Sequence, residues 1–309
     1  MTQLENINSK LDSTEHSHIG DAVFWTVREN RIDPSELRNA FQETDLPKNV
    51  IPKDPTPEIA FRRAIDKAKL KHAQRGFNRS QDRSEDYLLR KISETHEAIV
   101  WAVVKESCVL DDTATERRNS KTLEYETLDK ITLDRVTGRV TCINEHAMSE
   151  VVAGNYEDEL FSFNSSDLRT ILLKLMDTFS GIAIRPTGGI YFVPSTNAEK
   201  LKALQGVLEN LSPGSSLGII NLYGTEDSEA ALRQAAMEDL ETSVNRLSEE
   251  LEGFDDSTRD STIEKRLKKA GELRKRVDMY VTLLDISREN LECGLGEVEK
   301  SLSELLGLN

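Results

Sequence analysis

Seven cations fall between residues 62 and 79: Arg62, Arg63, Lys67, Lys69, Lys71, Arg75 and Arg79, against the single carboxylate Asp66. Phe61 and Phe77 lie at the flanks. A local excess of this kind holds phosphates, and aromatic rings beside it offer unpaired bases a surface to stack on. One reading is therefore a nucleic-acid site made of Arg62, Arg63, Lys67, Lys69, Lys71, Arg75, Phe77 and Arg79, serving phage or plasmid replication. The plainer reading is a solvated helix face whose charges pair with acidic patches on the same chain or on a second copy. The plainer one is favoured because charge runs are usually solvated; the net charge of −15 over 309 residues argues against a whole surface adapted to nucleic acid or anionic lipid and leaves a local basic patch open.

Other candidate chemistry is sparser. Asp111 and Asp112, followed by Glu124, Glu126, Asp129 and Lys130, have the residue types of a metal-dependent nuclease, in which carboxylates hold a divalent ion and a lysine helps polarise water. Their spacing is loose, and alternating acids on a half-solvated strand look the same. His16 and His18 are a pair of nitrogen ligands with no third ligand near. Cys108, Cys142 and Cys293 are widely spaced and odd in number, which suits neither a disulfide framework nor a zinc knuckle. No Ser/His/Asp arrangement, nucleotide-binding loop or metal quartet stands out. The expectation is a non-enzymatic protein with no catalytic residue, metal or cofactor.

The elements that would position these residues follow from periodicity. In the last quarter, Ile263, Ala270, Val277, Leu284, Leu291, Val298 and Leu305 recur every seven residues, and Met237, Leu240, Val244, Leu247, Leu251 and Phe254 step by three and four. With Gly253 to Ser257 as the turn, this reads as an antiparallel helical hairpin of coiled-coil type. Ser261, with Glu264 three residues on, is a capping-box candidate for its second arm, and Ser257 is the alternative cap if that helix starts sooner. Acids crowd the end of the first helix and cations the start of the second, so the two arms have a preferred register. Gly271, Gly294 and Gly296 weaken the second helix, and a bend or break is expected near Gly294.

Further upstream, Ala22 to Val27 is an apolar run too short to decide between strand and helix, and is read as a short helix. Asp33-Pro34 and Thr56-Pro57 open two more helices, the second carrying the cations. From Ala98 to Asn144 the pattern changes to period two, giving three or four antiparallel strands, with Val136 to Arg139 as a turn. Ser165-Ser166-Asp167 then caps a helix with Leu168, Ile171, Leu172, Leu175, Met176 and Phe179 inward. A hairpin pivots on Gly188-Gly189, a helix turns Leu201, Leu204, Val207, Leu208 and Leu211 inward, and Leu217 to Tyr223 is a strand. Helix, hairpin and Arg185 together have the outline of a recognition helix and wing, but the outward helix face offers only Arg169 and Lys174 as cations.

The segment Arg185-Pro186-Thr187-Gly188-Gly189-Ile190-Tyr191-Phe192-Val193-Pro194 resembles one in a family of uncharacterised bacterial and bacteriophage proteins. The likeness covers about the middle third of the chain. It implies a prokaryotic, cytoplasmic setting and carries no activity.

The fold expected is α+β: a tail over 1–18, a helical N-terminal module over 19–93, an antiparallel β/α core over 94–224 and the helical hairpin over 225–309. The chain is expected to associate with itself or with another protein through Ile263, Val277, Leu284, Leu291, Val298 and Leu305 on the hairpin. No apolar run is long enough for a membrane span and no signal segment opens the chain, so a cytoplasmic, membrane-free protein is expected.

Overall fold

The computed structural model describes residues 17–74, 84–110, 121–185, 188–254, 258–287 and 289–305. Among them are eight α-helices and two four-stranded antiparallel sheets, an α+β chain. It divides into two compact units. One is built from the segment ending at Arg28, from Asn39–Val50, and from Arg169 onward; the other from Glu29–Arg38 and Ile51–Leu168.

The first unit centres on strand β1, His18–Thr26, rather than on the short helix expected there. The run was ambiguous locally, and pairing decides it: β1 lies between β7 (Tyr191–Pro194) and β8 (Ser216–Tyr223), in the order β6-β7-β1-β8, with β6 being Ile182–Ala183. Both sides of its backbone are thus satisfied by strands distant in sequence. The turn between β6 and β7 is as expected, with Gly188 and Gly189 at φ of 72° and 92° and the Gly188 N–H donating to Arg185 O at 2.8 Å.

Three helices, not two, close this unit: α6 (Glu226–Glu252), α7 (Asp260–Leu284) and α8 (Glu289–Leu305). The expected second arm breaks at Asp285, which takes the left-handed conformation at φ 53°, and Ile286 behind it is buried. Asp tolerates this conformation better than most residues. Gly294, where the break was expected, lies inside α8 and serves close packing: a Cβ there would stand 2.8 Å from Val244 Cγ1 on α6. α6 starts with a capping box between Thr225 and Ser228, whereas the cap of α7 is Arg259, so Ser261 falls inside the first turn. The acidic end of α6 does lie beside the basic start of α7: Glu250 pairs with Arg266 at 2.9 Å and with Lys269 at 3.6 Å. Arg276 reaches from α7 to Asp239 on α6 and to the Gly181 carbonyl. Tyr280, fully buried, donates to Ser180 O at 2.6 Å, and burial raises its phenol well above the usual range.

In the second unit, β2 (Ser84–Glu94), β3 (Ala98–Leu110), β4 (Lys121–Asp134) and β5 (Val140–Cys142) form a meander. The last three follow the period-two pattern; β2 is polar and gains its conformation from pairing with β3. The β4–β5 turn closes through the Asp134 carboxylate, which accepts from the N–H groups of Val136 and Thr137, with Gly138 at φ 67°. Leu89, Ile99, Val103, Ile131 and Leu133 bury one sheet face. Against it pack Ala60, Phe61, Ala64, Ile65 and Ala68 of α2 (Pro57–Gln74) and Met148, Val152 and Tyr156 of α3 (Ala147–Leu160). Alanines four apart keep the side of α2 low enough for close helix packing. Both helices therefore share one face of the sheet.

Candidate functional site

The basic helix α2 meets acids of its own unit. Arg63 donates two parallel bonds to the Asp167 carboxylate, at 2.8 and 2.7 Å. Lys67, one turn further on, reaches Glu159 at 2.5 Å and Glu29 at 3.7 Å. Glu159 is only 1% exposed and also accepts from Asn164 Nδ2 at 3.0 Å, so α2 supplies the cations that this buried carboxylate needs. Arg62 pairs with Glu94 at 3.1 Å, and Arg135 joins the same carboxylate at 2.7 Å. Lys69 bonds Asp66 at 3.1 Å and lies over the Trp101 ring at 4.5 Å. Phe61 is core, fully buried. The side chains of Lys71, Arg75, Phe77 and Arg79 lie outside the described residues. Sequence alone showed the cations but not Glu159, Asp167 or Glu29, which come from distant segments.

Among the described residues, the loose acidic set does not form a group that could hold a metal ion. Asp129 is 1% exposed, and its carboxylate accepts from four backbone N–H groups: Lys130 at 2.7, Asn144 at 2.8, Ile143 at 3.1 and His146 at 3.1 Å. Burial by itself raises its pKa, but the Ser149 hydroxyl beside it and the N–H groups of Asn144, His146 and Lys130 outweigh that and bring it down to about 2. Asp129 thereby fastens the end of β5 and the start of α3 to β4. Lys130, its chain neighbour, points to the opposite sheet face, and Glu124 and Glu126 are exposed. Asp111 and Asp112 lie outside the described residues, as does His16. His18 is engaged with Asp21, Nε2 to Oδ1 at 3.0 Å. Asp21 is 2% exposed, and desolvation raises its pKa despite His18.

The hairpin positions read as an association seam lie in the chain's own core. Ile263, Val277, Leu284, Leu291 and Val298 are each at most 3% exposed, clustered with Leu240, Val244 and Leu247 of α6. Folding α8 back onto α6 and α7 covers the stripe that two helices would have left open. The side chain of Leu305 is outside the described residues.

The most exposed apolar groups are elsewhere, on positions that periodicity did not mark. Val136 is 83% exposed, Ile143 67% and Phe161 73%. They flank β5 and the end of α3, between which runs a groove of about 620 Å³ lined by Arg139, Val140, Thr141, Tyr156, Leu160 and Phe161. Asp134 N–H donates to Arg139 O and Ile143 N–H to Lys130 O, so Val140 and Cys142 direct their backbone groups to the free edge of the sheet.

Fold and surface thus define an α+β chain of two units, each with its own antiparallel sheet. The chain belongs to a family described as "Family of unknown function (DUF6744)", whose model matches residues 18–307. No curated protein and no solved structure matches it. Among the described residues, no helix is long and apolar enough to cross a membrane, and no group of three or more His, Cys, Asp or Glu is placed to hold a metal ion.

Proposed function

We propose that this is a non-enzymatic structural or adaptor protein that works in the cytoplasm by associating with another protein or with a second copy of itself. The observation that carries this reading is the set Val136, Ile143 and Phe161, three large apolar side chains held in solvent beside an edge strand and a groove. Exposed apolar groups beside unpaired strand edges favour protein contact, since a partner both covers the apolar surface and extends the sheet. The surface of association is then this edge or the sheet next to it, not the hairpin seam. Arg62, Arg63, Lys67 and Lys69 lend little to nucleic-acid binding, because each already has a carboxylate partner.

The test is to purify the chain at low salt and measure its mass together with anything bound in fixed ratio. A protein partner or a second copy is expected, lost or weakened when Val136, Ile143 and Phe161 are replaced by Ser. Stoichiometric nucleic acid with no bound protein would overturn the reading.

A further inference from the structure

The sheet of the second unit has two unlike faces. One is covered by α2 and α3; cross-strand register lays out the other as rows of directly opposed residues. Arg90, Ala102 and Lys130 form one row. The next is Leu88, Val104 and Thr127, and the third is Asp86, Glu106 and Tyr125. A row of two cations and a row of two carboxylates therefore flank a row made of half-buried Leu88, buried Val104 and exposed Thr127. Arg90, Lys130, Asp86 and Tyr125 are exposed, and Glu106 engages the Tyr125 hydroxyl. No ion pair joins the cation row to the acid row among the described residues.

We propose that this face is a self-complementary interface that joins two copies of the chain, a proposal that rests on the reading of the protein as one that associates. The charge pattern selects the occupant. A polyanion would meet the Asp86–Glu106 row as well as the cations, and a uniformly basic or acidic protein would be repelled by half of the face. A second copy fits if it is turned about a two-fold axis that lies between the sheets, perpendicular to the strands and over the Leu88–Val104 row. The strands then run opposite ways and that row meets itself. Arg90 faces Asp86 of the second copy, and Lys130 faces the second copy's Tyr125, diagonal to its Glu106. Sheets packed in this way lie about 10 Å apart, within reach of arginine and lysine. The contact closes on itself and produces a dimer rather than a filament.

Two charge-reversed proteins test this. Arg90→Glu with Lys130→Glu makes the face wholly acidic; Asp86→Arg with Glu106→Arg makes it wholly basic. Light scattering at low salt should give a dimer for the wild type and a monomer for either variant alone, the dissociation constant rising at least about tenfold because like charges now face each other. Mixed in equal amounts, the two variants should return to the dimer mass, since each acid row then meets a cation row; matching thermal melts establish that both remain folded. A monomeric wild type overturns the inference and leaves the broader reading to a different protein. A dimer that survives either reversal also overturns it, and transfers association to another surface such as the β5 edge.

Discussion

Arg63 and Asp167 meet through two parallel N–H···O bonds, at 2.8 and 2.7 Å, and the same guanidinium stands 3.9 Å from the buried Glu159. The helix that looked most like a ligand site is therefore held by its charges. Arg63→Ala should destabilise the second unit by about 2–3 kcal/mol, less than for a fully buried pair because the guanidinium is 27% exposed. Urea denaturation would register this loss. A melt unchanged from wild type would mean that water replaces the arginine at no cost.

Asp129 gives the second unit an acid limit. Its folded pKa of about 2 lies below the usual 3.8, so its contribution is fully present above about pH 4 and is lost as the pH falls through 2. The shift corresponds to about 2 kcal/mol. Stability of Asp129→Asn, followed by denaturant titration from pH 6 to 2, should be lower at neutral pH and should fall less steeply with acid. An unaltered acid slope would contradict the assignment.

Two glycines in the helical bundle should respond in opposite directions. Gly271 on α7 has nothing within 4 Å of an added Cβ, so Gly271→Ala should stabilise by up to about 1 kcal/mol through helix propensity. Gly294→Ala sets a methyl against Val244 and should cost about 1–3 kcal/mol through overpacking. Thermal melts of the two variants should shift to opposite sides of wild type.

Leu284 and Leu291, 2% and 1% exposed, belong to the interior of the three-helix bundle. Leu291→Ala should cost about 2–5 kcal/mol, and Leu284→Asp should abolish cooperative melting of the first unit. Loss of oligomer mass in either variant with an unchanged melt would return these residues to an external seam.

Much of the chain could be read from its sequence wherever the deciding contacts are local. The amphipathic stripes of α4 (Ser165–Thr178), α5 (Ala198–Leu211) and α6, the Gly188-Gly189 turn and the strands from Ala98 onward follow from spacing alone. β1 did not, because its conformation depends on strands at residues 191–194 and 216–223. Nor did the break at Asp285: the seven-residue spacing from Leu284 to Leu291 continues across it, so periodicity reports an unbroken helix. The α2 cations were visible as a cluster, but their neutralisation was not, since Glu159 and Asp167 come from segments far along the chain. Face assignments such as Arg90 with Lys130 need the strand register, which the bulge between Val103 and Val104 shifts by one residue.

The placement of β1 between β7 and β8 also bears on how the chain matures during synthesis. β1 leaves the ribosome well before its neighbours, β7 being complete only at residue 194 and β8 at residue 223, whereas the meander from Ser84 to Cys142 pairs each strand with the next. The second unit can therefore consolidate while translation continues, and β1 is secured only after it. During that interval the apolar run Ala22 to Trp25 is open to chaperones and to the same run on neighbouring nascent chains.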